Sequence, residues 1–581
     1  MQNNNLPDLR TYEFEEFEFT QLMQNRIHKV LIVCSNYDYY MLEEDGRIDE
    51  RLFNEYTALH LRYPPSFMHA NSAKRAIKML ETDKIDLVIT WLDVGNYKTF
   101  ETSKQIKEAF PNVPIAALSH YSSEVKSKLK SDKKNTVDFL FHWNGNVEIF
   151  LAIIKLTEDR MNAENDINNV GVKAILLVED SLKFYSRYIP MIYKVILKQT
   201  HAFMSEGLNE HRKMLLMRGR PKILLTTNFE EGLDFFQRYK KNLLGIISDV
   251  TYFKGGKLFK TAGFELLEYV RSVSKFFPFL IQSSDKTNEA KALELGGKFL
   301  YKHSETLGVD IKTYISKYFA FGNFEFWDPI NKEVVATAKD LKGFQKALNN
   351  VSDDTVVYHA LRSEYSKWLR SRALFPLADL FSEVEFEDFK NVKEVRKFLI
   401  KSIKLFRVYR SRGVIAKFDR KKYDEYLGFS RIGEGALGGK GRGLAFIDSF
   451  LKRNKLFKKF EKVNISIPRT VVISTEIFDE FIETHKLIRF AANCNNDEEI
   501  LQTFNSKSLP KWVLEDIKVF LKVTKAPIAV RSSSTLEDSH YQPFAGVFST
   551  YMVPHTNTKK MVEMVASAIK SVIASAFFQN S

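Results

Sequence analysis

Cysteine is almost absent from this chain. Its 581 residues include two, Cys34 and Cys494, far apart in unrelated contexts. They can build neither a disulfide framework nor a cysteine metal site, and a reducing, cytoplasmic setting is expected. Long apolar runs are missing as well. No segment offers the roughly 20 apolar residues a membrane helix needs. The opening MQNNNLPDLRTYEFEEFEF is polar and acidic, without the apolar core of a signal peptide. There is no zinc-finger spacing and no arginine-rich arm. The net charge of +14 comes from lysines scattered over many segments, so neither nucleic acid nor membrane is an expected partner. What is plentiful is aromatic side chains, with 48 Phe and 24 Tyr in a chain that is 44% apolar. That argues for packed cores over disorder, and the length allows about three to five domains.

Short apolar segments alternate with helical patterns through the first half. KVLIVCSN, DLVITWLD, PIAALSH and VDFLFHW read as strands of one open parallel sheet, residues 27–155, after a leader, residues 1–26. TEDRMNAENDINNVG is acidic and Asn-rich, and reads as a linker or helix tail over 156–171. The rhythm then restarts with KAILLVED, PKILLTTN, LLGIISDV, FPFLIQSS and KFLYKH, a second sheet over 172–315. Residues 316–424 carry no chemical motif and read as a mainly helical connector with one strand or turn. From 425 to 581 glycine-dense loops, short strands and amphipathic helices imply a further α+β domain. The fold class expected is therefore α/β and multidomain, with two doubly wound, flavodoxin-like parallel sheets.

In the second sheet, strand 1 ends in Glu179 and Asp180 and strand 3 in Asp249. The carboxyl edge of a parallel sheet is where ligands bind. Three carboxylates meeting there repel each other, and a hard cation such as Mg²⁺ relieves the repulsion. Ser283 ends strand 4, where its hydroxyl can bond a phosphoryl oxygen. Lys302 ends strand 5 and can pair with the same group. This order of acidic pair, central Asp, Ser or Thr, and Lys resembles the receiver domains of response regulators. The resemblance implies that Asp249 is a phosphoacceptor, with Glu179, Asp180 and Asp249 holding Mg²⁺. His303 departs from the family's usual Pro after the Lys. The implied partners are a sensor histidine kinase or another phosphodonor, and a second copy of the chain through the receiver domains.

The first sheet lacks these groups. Ser35 and Asn36 stand where the acidic pair would be, Trp91 replaces the phosphoacceptor, and Asp93 falls two positions late. Ser119 matches the hydroxyl position, but His142 and Trp143 occupy the lysine's place. This domain resembles a receiver that kept its fold and lost its metal site, with Trp91 filling the pocket. Packing or dimerisation is the expected role.

Further on, GEGALGGKGRG holds six glycines between 433 and 443, with Lys440 among them. It is not a P-loop, since no GK[ST] follows four free positions after a glycine, and it is not a dinucleotide fingerprint. Gly438, Gly439 and Gly441 let backbone N–H groups approach phosphate, and Lys440 adds a point charge. PIAVRSSSTLED places Arg531 at a strand end, followed by Ser532 and Ser533 as donors, and FAG adds Gly546.

The series GGKGRG, IPRTVVIS, VRSSSTLED, FAGVFSTY resembles the N-terminal half of the ATP-binding domain of phosphoenolpyruvate synthase and pyruvate phosphate dikinase. The resemblance covers roughly 425–581 and implies that Lys440 and Arg531 hold ATP phosphates. Arg469, Thr470, Val547 and Phe548 depart from the usual pattern. A second ATP-grasp lobe, a TSH segment with its phosphocarrier histidine and a pyruvate-binding barrel are not found, so a piece of a longer protein is expected. Complete relatives convert ATP and pyruvate to phosphoenolpyruvate, AMP and phosphate. The alternative is a two-component signalling protein whose receiver controls a nucleotide-binding or interaction module without turnover.

Overall fold

Apolar runs of four to seven residues, rich in β-branched side chains, form the strands, and the polar punctuation between them sets the turns. The computed structural model describes residues 6–9, 12–14, 21–44, 46–92, 98–119, 136–203, 216–421, 423–460, 463, 465–534 and 548–579. The chain divides into two compact units, one made mainly of residues 15–396 and the other mainly of 397–581.

In the first unit β1 (Lys29–Val33), β2 (Ser66–Ala70), β3 (Leu87–Leu92), β4 (Ile115–Ser119) and β5 (Phe139–His142) form a parallel sheet in the order β2-β1-β3-β4-β5. A second parallel sheet repeats that topology. Its strands are β6 (Ala174–Val178), β7 (Lys222–Thr226) and β8 (Leu243–Asp249), and, after an antiparallel hairpin of β9 (Tyr252–Lys254) and β10 (Lys257–Phe259), β11 (Phe279–Ser283) and β12 (Lys298–Tyr301). The order is β12-β11-β8-β6-β7. Both are the doubly wound 2-1-3-4-5 arrangement of flavodoxin-like sheets. Helices cover both faces, which is why β6 is buried at every residue. The hairpin, absent from the strand pattern read above, has Gly255 and Gly256 at φ +57° and +76° in its turn, a conformation glycine adopts without cost.

The two sheets share one apolar core, which includes Val30 and Ile89 of the first and Ile175 and Leu177 of the second. The stretch 156–171, expected as a linker or helix tail, is no linker. It is the buried end of helix Glu148–Ala163 and a following π-helical turn, Glu164–Asn169. Its acidic residues meet buried basic partners. Asp159 pairs with Arg220 at 2.8 Å and Asp166 with Lys222 at 2.7 Å, all four 3% exposed or less at the side chain. Tyr193 Oη donates to Asp159 at 2.7 Å. Buried charge is tolerated only when paired in this way. The end of the leader and the residue after it are fixed to this helix and to the turn that follows it. The amides of Met23, Asn25 and Ile27 donate to Asp166, Asn162 and Glu158.

The connector is mainly helical, as expected, and opens with an antiparallel pair, β13 (Phe324–Asp328) and β14 (Glu333–Ala338). Phe324 of β13 packs ring against ring with Phe344 and Tyr365, and Phe344 stacks on Trp368. In the second unit β15 (Ala416–Lys417), β16 (Phe429–Ile432) and β17 (Thr470–Ile473) form a parallel sheet, and β18 (Ile528–Val530) pairs antiparallel with β19 (Tyr551–Val553). Helices Thr475–Thr484, Asp497–Ser506, Lys511–Val523 and Thr558–Ser575 enclose a core of Phe481, Phe504, Val513, Ile517 and Met561. No helix among the described residues is long and apolar enough to cross a membrane.

Candidate functional site

Strand register brings the acidic residues of the second sheet together. Val178 lies beside Ser248, Gln282 beside Asp249, and Ser283 beside Tyr301. The residues that end or follow these strands therefore share the carboxyl edge. Carboxylate oxygens of Glu179, Asp180 and Asp249 lie within 4.8 Å of one another. Lys302 bridges the group, with Nζ 2.6 Å from Glu179 Oε2 and 2.8 Å from Asp249 Oδ2. Its ammonium also rests 4.4 Å above the Phe184 ring. Val250 N–H donates to Asp249 Oδ1 at 2.7 Å, which fixes that carboxylate. Ser283 Oγ accepts from the amide of Asp285 and from Asn288 Nδ2 at 3.0 and 2.9 Å. His303 stands edge-on to Phe184 and Tyr301.

Glu179 is the constrained member. It is fully buried, and burial, with the Asp249 charge second, pushes its carboxyl up to about 8 despite Lys302. Oε1 accepts from Ser181 N–H at 3.0 Å, and Oε2 from Lys302 and from Gln282 Nε2 at 2.9 Å. Gln282 carries no signal in the sequence reading. It stands inside an apolar strand, 103 positions from Glu179. Gly263 is another residue that reading missed. A Cβ there would lie 2.0 Å from the Asp249 carbonyl oxygen, so only glycine lets helix Ala262–Val273 approach the Asp249 backbone. Asp180 and Asp249 keep partial access to solvent. Three oxygen-bearing acids with more negative charge than Lys302 offsets are a donor set that suits a hard divalent cation.

The first sheet offers no such group among the described residues. Ser35 caps helix Asn36–Leu42, accepting from Asp38 N–H and donating to its carboxylate. Trp91 is buried, edge-on to Trp143 at 5.5 Å, and Trp143 packs on Phe150. The Ser119 carbonyl accepts from Trp143 N–H, and His142 Nδ1 lies 3.2 Å from it. Asp93 lies outside the described residues.

In the second unit the glycine loop and the RSSS segment touch. Helix Gly438–Arg453 begins inside the loop. Gly438 has φ +72°, and a Cβ on it would fall 1.3 Å from the Ser533 carbonyl oxygen. Gly439 N–H donates to that oxygen at 3.0 Å, Gly441 N–H donates to Ser533 Oγ at 2.9 Å, and Ser533 Oγ donates to the Leu437 carbonyl at 2.7 Å. Ser533 thus ties the loop to the end of β18. Residues 434–581 match the family model described as Pyruvate phosphate dikinase, AMP/ATP-binding domain.

Within the matched segment the amides of Gly439 and Gly441 face Ser533. Lys440 is half-buried, Ser532 is half-buried and Arg531 is exposed. Gly546 and Val547 lie outside the described residues, whereas Phe548 precedes β19. Arg469 donates to the carbonyls of Glu425 and Val523, a structural use of that departure from the family pattern. A hollow of about 600 Å³ nearby in the sequence is lined by Glu434, Glu476, Asp479, Glu480 and Glu483. Its sign is wrong for a triphosphate.

Two solved structures described as two-component system response regulator/GGDEF domain proteins are similar to the chain at 14% identity. They cover 50% and 49% of this chain and 98% and 96% of their own, with TM-scores of 0.23 and 0.22. The search of curated proteins gives no match.

Proposed function

We propose that residues 172–315 are a receiver, phosphorylated on Asp249 with Mg²⁺, that regulates a phosphoenolpyruvate-synthase-like ATP-binding domain. The observation that carries this is the Lys302 bridge between Glu179 and Asp249, with Asp180 within reach of the same point. An Asp249 carboxylate oxygen attacks the phosphorus of an acyl or histidyl phosphate. The P–O bond to Asp249 forms as the bond to the donor breaks, and the donor leaves with that electron pair. The Val250 amide holds the nucleophile in place. Lys302 then turns toward the new phosphoryl oxygens, and Ser283 Oγ lies on the neighbouring strand end to receive one of them. Mg²⁺, when bound by Asp180 and Asp249 with Glu179 behind them, neutralises charge on the transferring group.

In the second unit, Lys440 and Arg531 are the cations offered to an ATP phosphate chain, with Ser532 as a further donor. The loop geometry set by Ser533 keeps them on connected elements. In an intact relative the nucleotide would phosphorylate a histidine outside residues 434–581, chemistry that is mainly positioning and charge neutralisation.

The test is to incubate the full chain with Mg²⁺ and acetyl phosphate and measure its intact mass. One phosphoryl adduct, lost in Asp249→Asn, is expected. An unchanged mass, or an adduct that survives Asp249→Asn, refutes the receiver assignment.

A further inference from the structure

We infer that Gln282 is a positioning residue that allows Lys302 to leave Glu179 when a phosphoryl group forms on Asp249, an inference that rests on the receiver reading above. Gln282 is the only amide in β11, whose sequence is FLIQS, and it is completely buried. A buried amide is costly unless bonded. Its Nε2 donates to Glu179 Oε2, the same oxygen that accepts from Lys302. Its Oε1 has no hydrogen-bond partner among the described residues. Turning the amide over would aim that oxygen at a carboxylate, so the donor orientation is set by chemistry.

Lys302 is shared between two carboxylates. Added negative charge on Asp249 draws it from one toward the other. Glu179 is 0% exposed, so water cannot replace the departing ammonium. With Gln282 present, Oε2 keeps a donor after Lys302 moves, while Oε1 keeps the Ser181 amide. Without it, Oε2 would lose both of its donors at once, and the cost of a buried, unsatisfied oxygen would hold Lys302 back. The amide therefore acts selectively on the phosphoryl-bearing state. A merely structural glutamine would affect both states alike.

The experiment uses the full chain in excess Mg²⁺, without nucleotide, titrated calorimetrically with beryllofluoride as the phosphoryl mimic. A separate titration uses Mg²⁺ alone. Gln282→Met removes the donor at nearly equal volume, and Gln282→Asn withdraws it by one methylene. Each is expected to weaken beryllofluoride binding about tenfold or more while moving Mg²⁺ affinity less than about threefold, because Asp180 and Asp249 do not bond Gln282 and Glu179 keeps Lys302 and the Ser181 amide until a phosphoryl group forms. Equal weakening of both ligands, or no weakening of either, overturns the assignment. Should Gln282→Met fail to fold by circular dichroism, Gln282→Asn decides alone. If the wild type ignores beryllofluoride, or Asp249→Asn still binds it, the receiver reading falls and this inference with it.

Discussion

Glu179 shows how one residue sets the pH behaviour of a site. Its carboxyl is pushed from the ordinary 4.5 up to about 8, by burial first and by Asp249 second. The folded chain therefore holds a proton that the unfolded chain has released between those values. Bound protons favour the folded state there, so stability contributed by this group is present below about pH 4.5 and is lost as pH rises toward 8. Urea unfolding in EDTA across pH 5 to 9 is expected to show that decline, and Glu179→Gln to flatten it. The ATP cations make a second prediction at this scale. Losing Lys440 or Arg531 removes a charge-assisted contact worth roughly 1.5–3 kcal/mol, so calorimetric titration of Mg²⁺–ATP into the intact protein should weaken about tenfold to a hundredfold. Lys452, in the helix after the loop, is an unsuitable control because its ammonium lies over the Tyr409 ring at 4.7 Å. Exposed Lys559 serves instead, and Lys559→Ala should be silent. Equal affinity for all of these would leave the glycine loop a structural turn.

At the scale of elements, helix Glu148–Ala163 carries a buried acid, Asp159, that depends on basic partners at the start of a later strand. Arg220 is 3% exposed at the side chain, and its partner Asp159 is fully buried. Arg220→Met strands that carboxylate, leaving it Lys222, the Tyr193 hydroxyl and the Ile223 amide among the described residues. Breaking a buried pair from one side costs about 3–5 kcal/mol, and denaturant unfolding of the first unit should show a loss of that order. A loss under about 1 kcal/mol would mean that water reaches the cluster. The same helix explains where sequence reading stopped. Strand ends followed by Glu179–Asp180, Asp249, Ser283 and Lys302 were legible because period and polarity change at the strand end itself. Of the two readings of 156–171 the helix tail agrees with the structure, and the linker was plausible only because its acids look solvated until Arg220 and Lys222, some sixty residues on, are seen beside them. Gln282 was illegible for the same reason. The β9–β10 hairpin could have been found, since FKGGKLF sets two glycines between aromatic and apolar residues. Ser533 was read as a phosphate donor, but its bonds to Leu437 and Gly441 depend on a loop about ninety residues away.

For the whole molecule, the two flavodoxin-like sheets differ in chemistry and share a core. Phosphorylation is expected to stop at one group per chain, at Asp249, since Trp91 has no acceptor oxygen and Ser35 and Asn36 are poor ligands for a hard cation. Peptide mapping after acetyl phosphate treatment checks this, and stoichiometric label within 27–155 would contradict it. The paired charges of helix Glu148–Ala163 carry a consequence for how such a gene can change. A deletion that removed the first sheet and this helix would leave Arg220 of the second domain without Asp159 in an apolar setting, and the inner faces of Tyr193 and Ile196 open to water. The surviving half would have inherited a debt in solvation that point substitutions could clear only together. The first sheet has no acidic pair and no acceptor carboxylate at the strand ends described, yet the second sheet's packing depends on it. With the core shared, the strand-end groups of one sheet can change singly, whereas the packing between the two sheets can change only as a whole.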